Sequence, residues 1–143
     1  ALTQVTLIMW ISLIFSPLLG AAIDRVGRPA AWIFGGSVLL ALILGMMATE
    51  SIGPSFAMVL VGLCAAAVPT ASYALPARLV PASRVGFAFG FMTAFSNLGT
   101  VWGPAAAGWI LDASGDWFLM WIVLAAIAGL GAGAATLVRP KAA

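Results

Sequence analysis

LTQVTLIMWISLIFSPLLGAAI, residues 2–23, is followed by the charged turn DRVGRP, residues 24–29, and then by AAWIFGGSVLLALILGMMA, residues 30–48. Each apolar run has the roughly 20 residues that an α-helix needs to cross about 30 Å of hydrocarbon. Between them the charges are confined to a turn, and Pro29 suits the first turn of a helix, where its missing N–H is not needed. This is the pattern of two consecutive membrane crossings, and the composition extends it to the whole chain. Of 143 residues, 64% are apolar and 7% charged, against about 45–50% and about 25% in soluble domains.

Working outward, Thr49 to Gly53 break the pattern before Pro54, and a third apolar segment covers residues 54–75. Pro76 and Pro81 punctuate the next loop, and Ser83 is the expected N-cap of a fourth segment over 84–111. The turn from Asp112 to Asp116 precedes a fifth over 117–138. Period-two alternation is absent, which argues against a β-barrel. The expected fold is an all-α integral membrane bundle of five transmembrane helices.

The charges fix an orientation. Arg25, Arg28, Arg78, Arg84, Arg139 and Lys141 all fall on one side of this topology, and Glu50, Asp112 and Asp116 on the other. By the positive-inside rule the basic side is cytoplasmic, so the N-terminus faces out and the C-terminus in, across a plasma (cytoplasmic) membrane. The basic residues are scattered singly, which excludes a nucleic-acid stripe. No ionisable side chain sits mid-segment, so the chain offers no intramembrane proton relay.

Several chemistries are excluded outright. There is no His, hence no Ser-His hydrolysis and no His-ligated metal. Paired intramembrane carboxylates and a G-x-S-x-G elbow are absent too, so the chain is read as neither an enzyme nor a holder of metal or cofactor. The single Cys64 cannot form an internal disulfide. Because the chain opens Ala1-Leu2-Thr3 with neither an initiator Met nor a signal-peptide pattern, it is read as part of a longer protein.

The first turn reads Gly20-x-x-x-Asp24-Arg25-x-Gly27-Arg28. Gly20 lets a helix end approach a neighbour, Gly27 permits the positive φ of a tight turn, and Asp24 can face the positive end of a helix or pair with an Arg. The pattern resembles the signature loop of the major facilitator superfamily, between helices two and three and, weaker, between eight and nine. The resemblance implies a conformational latch made by Gly20, Asp24, Arg25, Gly27 and Arg28, released during transport. Pro29 stands where the family usually has another basic residue.

A second pattern, Gly90, Gly99, Gly103-Pro104 and Gly108 in the fourth segment, resembles the family's glycine-rich helices five and eleven, with Ala107 where a Gly is expected. Gly99, Gly103 and Ala107 at i, i+4, i+8 make a flat packing seam, and Pro104 frees a carbonyl and bends the helix, a device for gating. The third segment lacks the Arg that the family carries in helix four, and the turn around Asp112 is similar to that between helices eleven and twelve. The parity fits helices two to six as well as eight to twelve; these two features favour helices eight to twelve, the C-terminal half of a twelve-helix transporter.

In the family's architecture the first, third and fourth segments would line a central cavity. Thr93, Asn97 and Thr100 share one helical face beside Ser96, and Thr70, Ser72 and Tyr73 follow Pro69. These seven are the candidate cavity residues. The expected function is transport of a small solute by alternating access, with the bilayer and the remaining helices of the parent transporter as partners. A non-transporting polytopic scaffold, assembled through its small-residue seams, is the alternative.

Overall fold

The computed structural model describes residues 2–138. Five long helices carry the chain: α1 (Leu2–Val26), α2 (Pro29–Ala48), α3 (Pro54–Ala74), α5 (Val85–Ser114) and α6 (Trp117–Leu137), with a one-turn helix α4 (Pro76–Leu79) and a 3-10 turn (Ala82–Arg84) between α3 and α5. No strand occurs among the described residues. Arg139 and Lys141, used above for orientation, lie outside them.

The helix ends follow local chemistry. Pro29 and Pro54 open α2 and α3 as expected. Asp24 and Arg25 stay within α1, whose last turn favours a cation near its C-terminus, so the helix runs to Val26 rather than 23. Ser83 does not cap α5: Arg84 N–H already donates to the Pro81 carbonyl (2.8 Å), which winds Ser83 into the 3-10 turn and away from the extended N-cap conformation. The cap found is Asp116, whose carboxylate accepts from Phe118 N–H at 2.8 Å to start α6. Gly115, with φ of 63°, ends α5 in the left-handed conformation.

The helices pack in a row. α1 lies on α3, α3 on α2 and α2 on α6, while α5 touches the rest lightly, through α6, α4 and one ring contact from α3. Small residues make the approaches close, as between membrane helices. A Cβ on Gly36 would sit 2.6 Å from Val68 Cγ2 across the α2–α3 contact, and one on Gly62 would meet Ile11 at 3.2 Å across α1–α3. Ile43, Ala57 and Cys64 form the core between α2 and α3, with Leu40, Leu60 and Val61 around it. On the other side of α2, Ser37 is buried near Gly131, and Ala132 and Ala135 are buried in α6.

The outer surface is apolar, with residues such as Leu130 and Leu137 exposed. Water would not tolerate a coat of that kind; hydrocarbon does. α1, α2, α3 with α4, and α6 are each long and apolar enough to cross a membrane. α5, at 30 residues, has the length, but Thr93, Ser96, Asn97 and Thr100 dilute its apolarity. None of its residues is buried.

Candidate functional site

The first candidate region is the turn between α1 and α2. Gly27 N–H donates to the Ile23 carbonyl at 2.8 Å and Gly27 adopts φ of 70°, the left-handed conformation anticipated for it. Beneath the turn Ile23 is 1% exposed, and Pro29 is also buried. Arg78 of α4 reaches across: one terminal nitrogen donates to the Gly27 carbonyl at 2.8 Å and the other lies 3.9 Å from Asp24 Oδ1. Of the two partners open to Asp24, the structure supplies an Arg. Arg25 and Arg28 remain exposed, and Gly20 lies against Thr70, a Cβ there being 3.6 Å from Thr70 Cγ2.

Arg78 was missed as part of this turn. Its one sequence signal was the charge pattern, which put it on the same side as Asp24; nothing local ties two residues so far apart. At the opposite end Glu50, Ser51, Gly115 and Asp116 line one shared recess, so the acid-bearing turns meet there.

The hydroxyls of α3 divide from those of α5. Thr70 Oγ1 donates to its own helix at Ala66 O (2.6 Å) and receives the Ser16 hydroxyl at 3.0 Å, while Ser12 Oγ donates to Gly62 O at 3.2 Å. Thr70 thus belongs to the seam between α1 and α3. Ser72 Oγ donates back to Val68 O at 2.8 Å. Tyr73 stacks on Phe89 of α5, ring centroids 6.2 Å apart and planes 17° from parallel.

One turn beyond Phe89 lies Thr93, and the face continues through Asn97 to Thr100, all exposed. Thr100 Oγ1 donates to Ser96 O at 3.0 Å. Asn97 has no hydrogen-bond partner among the described residues. Nearly opposite on the helix, Phe87, Phe91 and Phe95 form a ladder with successive centroid separations of 6.3 and 4.7 Å. The structure therefore brings Tyr73 beside the Thr93-Asn97-Thr100 face and leaves Thr70 and Ser72 bonded within the helix packing. A side chain at Gly90, Gly99, Gly103 or Gly108 would meet nothing within 4 Å, so the glycine seam has no partner in the described bundle.

Such a face can exchange hydrogen bonds with a polar solute. No group of three or more His, Cys, Asp or Glu that could hold a metal occurs among the described residues.

The sequence profile of the Major Facilitator Superfamily matches residues 3–143. Among curated proteins, the chain is similar to the lysosomal dipeptide transporter MFSD1 of Danio rerio, 36% identical over 104 residues, which are 73% of this chain and 23% of the relative. It is likewise similar to MFSD1 of Gallus gallus, 34% identical over 109 residues (76% of this chain, 25% of the relative), and of Homo sapiens, 33% over 109 residues (76% and 23%). The chain spans about a quarter of the length of these relatives. No solved structure matches.

Proposed function

Because the chain belongs to the Major Facilitator Superfamily, we propose that it forms helices eight to twelve of a transporter that moves a small polar solute across a membrane by alternating access. Asn97 carries this reading. A primary amide in hydrocarbon without a hydrogen bond costs several kcal/mol, of the order of 2–7, so its open face is best satisfied by a water-filled cavity. Thr93 and Thr100 lie on the same exposed helical face, and Tyr73 stacks on Phe89 one turn before Thr93. The relatives are named for dipeptides, and a face of amide and hydroxyl groups can both donate to and accept from a peptide unit. A dipeptide is the solute we propose to test first.

Asp24 and Arg78 hold the α1–α2 turn against α4, and in this reading that contact is the latch, with Gly99, Gly103 and Pro104 placing a bend in the cavity helix. The proposed orientation is N-terminus out and C-terminus in, supported by Arg25, Arg28, Arg78 and Arg84 at one end and Glu50 and Asp116 at the other. The proposed compartment is the plasma (cytoplasmic) membrane. The lysosomal membrane of the relatives would present the same cytosolic face to the basic turns.

In the full-length protein, Asn97→Leu is expected to lower dipeptide uptake about tenfold at unchanged membrane abundance, the effect of losing one buried polar contact. Wild-type uptake of the tested dipeptides by Asn97→Leu would remove Asn97 from the cavity. Loss of abundance together with uptake would instead favour the scaffold reading.

A further inference from the structure

α1 and α2 barely touch each other, since both lean on α3. The gap between them is an open groove of about 440 Å³, lined by Leu19 of α1, by Trp32, Gly35 and Leu39 of α2, and floored by Leu63 and Cys64 of α3. Its lining is almost entirely hydrocarbon. No side chain obstructs it at Gly35, where an added Cβ would meet nothing within 4 Å.

Its dimensions are those of a lipid tail. The groove extends along α2 from Ala31 to Leu39, about 12 Å at 1.5 Å per residue, which approaches one leaflet of a roughly 30 Å hydrocarbon core. Trp32, Gly35 and Leu39 share one stripe of α2, at i, i+3 and i+7, and a charge stands at the start of the helix: Arg28 is its N-cap, four residues before Trp32, with φ of −123° and ψ of 66°. Arg28 is exposed, and its side chain has neither hydrogen bond nor ion pair among the described residues. The helix start has no side-chain cap, so the positive helix end adds to the guanidinium.

We propose that this groove binds one acyl chain of an anionic glycerophospholipid, with the lipid phosphate on Arg28. Polar head and apolar tail fall at matching ends, Arg28 at the start of α2 and the groove along the helix from Ala31. Arg25, one turn back at the same rim, adds to the field that favours an anionic over a zwitterionic headgroup. The site is separate from the α5 face, and its occupancy does not depend on what the chain transports.

The test uses the full-length protein in phosphatidylcholine vesicles carrying a minor fraction of dibrominated phosphatidylglycerol or, in parallel, dibrominated phosphatidylcholine. Bromine quenches tryptophan at contact distance. Trp32 is one of six tryptophans in this sequence alone, so its signal is read as the difference from a Trp32→Phe variant. The expected result is stronger quenching by the phosphatidylglycerol, corresponding to roughly fivefold preferential association for one arginine at the membrane surface. Arg28→Gln should bring that preference close to one. Gly35→Leu, placed in the groove where an added Cβ meets nothing within 4 Å, should abolish Trp32 quenching by either lipid, whereas Gly45→Leu, on the same helix outside the groove and with its Cβ equally free, should leave it intact. Equal quenching by the two lipids would mean that Trp32 meets only bulk bilayer. Failure of both to quench the unmodified protein would mean that another protein segment fills the groove. Either result overturns the proposal.

Discussion

Arg78 makes two unequal contacts at the α1–α2 turn, and their difference is measurable. The Asp24 pair is long, at 3.9 Å, and the Asp24 side chain is 76% exposed, so Asp24→Asn should change stability by only about 0–1 kcal/mol. Arg78→Ala also removes the 2.8 Å bond to the Gly27 carbonyl and should cost more, about 1–2 kcal/mol. Gly27→Ala, which forces a Cβ into a left-handed backbone, adds a cost of about 1–2 kcal/mol of its own. Thermal unfolding in detergent should rank Asp24→Asn least damaging. If Asp24 is a latch, uptake by Asp24→Asn will nevertheless fall at preserved membrane levels, and unchanged uptake would sink that role. At this scale the sequence was legible where the signal was local. Gly27 could be anticipated because only a residue without a Cβ suits that turn. Arg78 could not, since the partners it holds lie on another helix hairpin, and Ser83 was misplaced because a backbone bond to Pro81 decided the local winding before its hydroxyl could.

Apolar length and turn residues marked all five long helices, and the departures are confined to their ends, where proline and capping bonds compete. Packing between the elements was less legible. Ser12, Ser16 and Gly20 recur every fourth residue along α1, a small-residue stripe whose partners, Gly62 and Thr70, only the packing shows. Gly36, inside an apparently uniform apolar run, gave no sign of its importance. Its added Cβ would stand 2.6 Å from Val68, while Gly45, one face away, has open space. Gly36→Leu should therefore destabilise the protein by about 1–3 kcal/mol and Gly45→Leu should be close to neutral, as read from the temperature at which each solubilised variant aggregates. A neutral Gly36→Leu would mean that α2 and α3 can separate at little cost.

Across the whole molecule, α5 is the helix with the most polar face and the least contact with its neighbours. The proposal that these are helices eight to twelve of twelve predicts that further helices cover it. It also predicts an intact native mass of roughly 40–45 kDa, from about twelve spans of 20-odd residues plus loops. A native mass near 14.6 kDa would remove that assignment. The face itself was legible, because Thr93, Asn97 and Thr100 recur at helical spacing. Its occupant was not, since hydroxyl and amide groups serve helix contacts and solutes alike.

The row order α1, α3, α2, α6 has a consequence for biosynthesis. α2 finds its largest partner in α6, yet Ala48 leaves the ribosome long before Trp117 does, an interval of roughly 4–14 s at 5–20 residues per second. Throughout that interval the face of α2 bearing Ser37 waits without its mate. The nascent protein must then either hold α2 beside the insertion machinery or leave a hydroxyl against lipid until α6 arrives, so the contact that seals α2 forms only after the helices between them have been made.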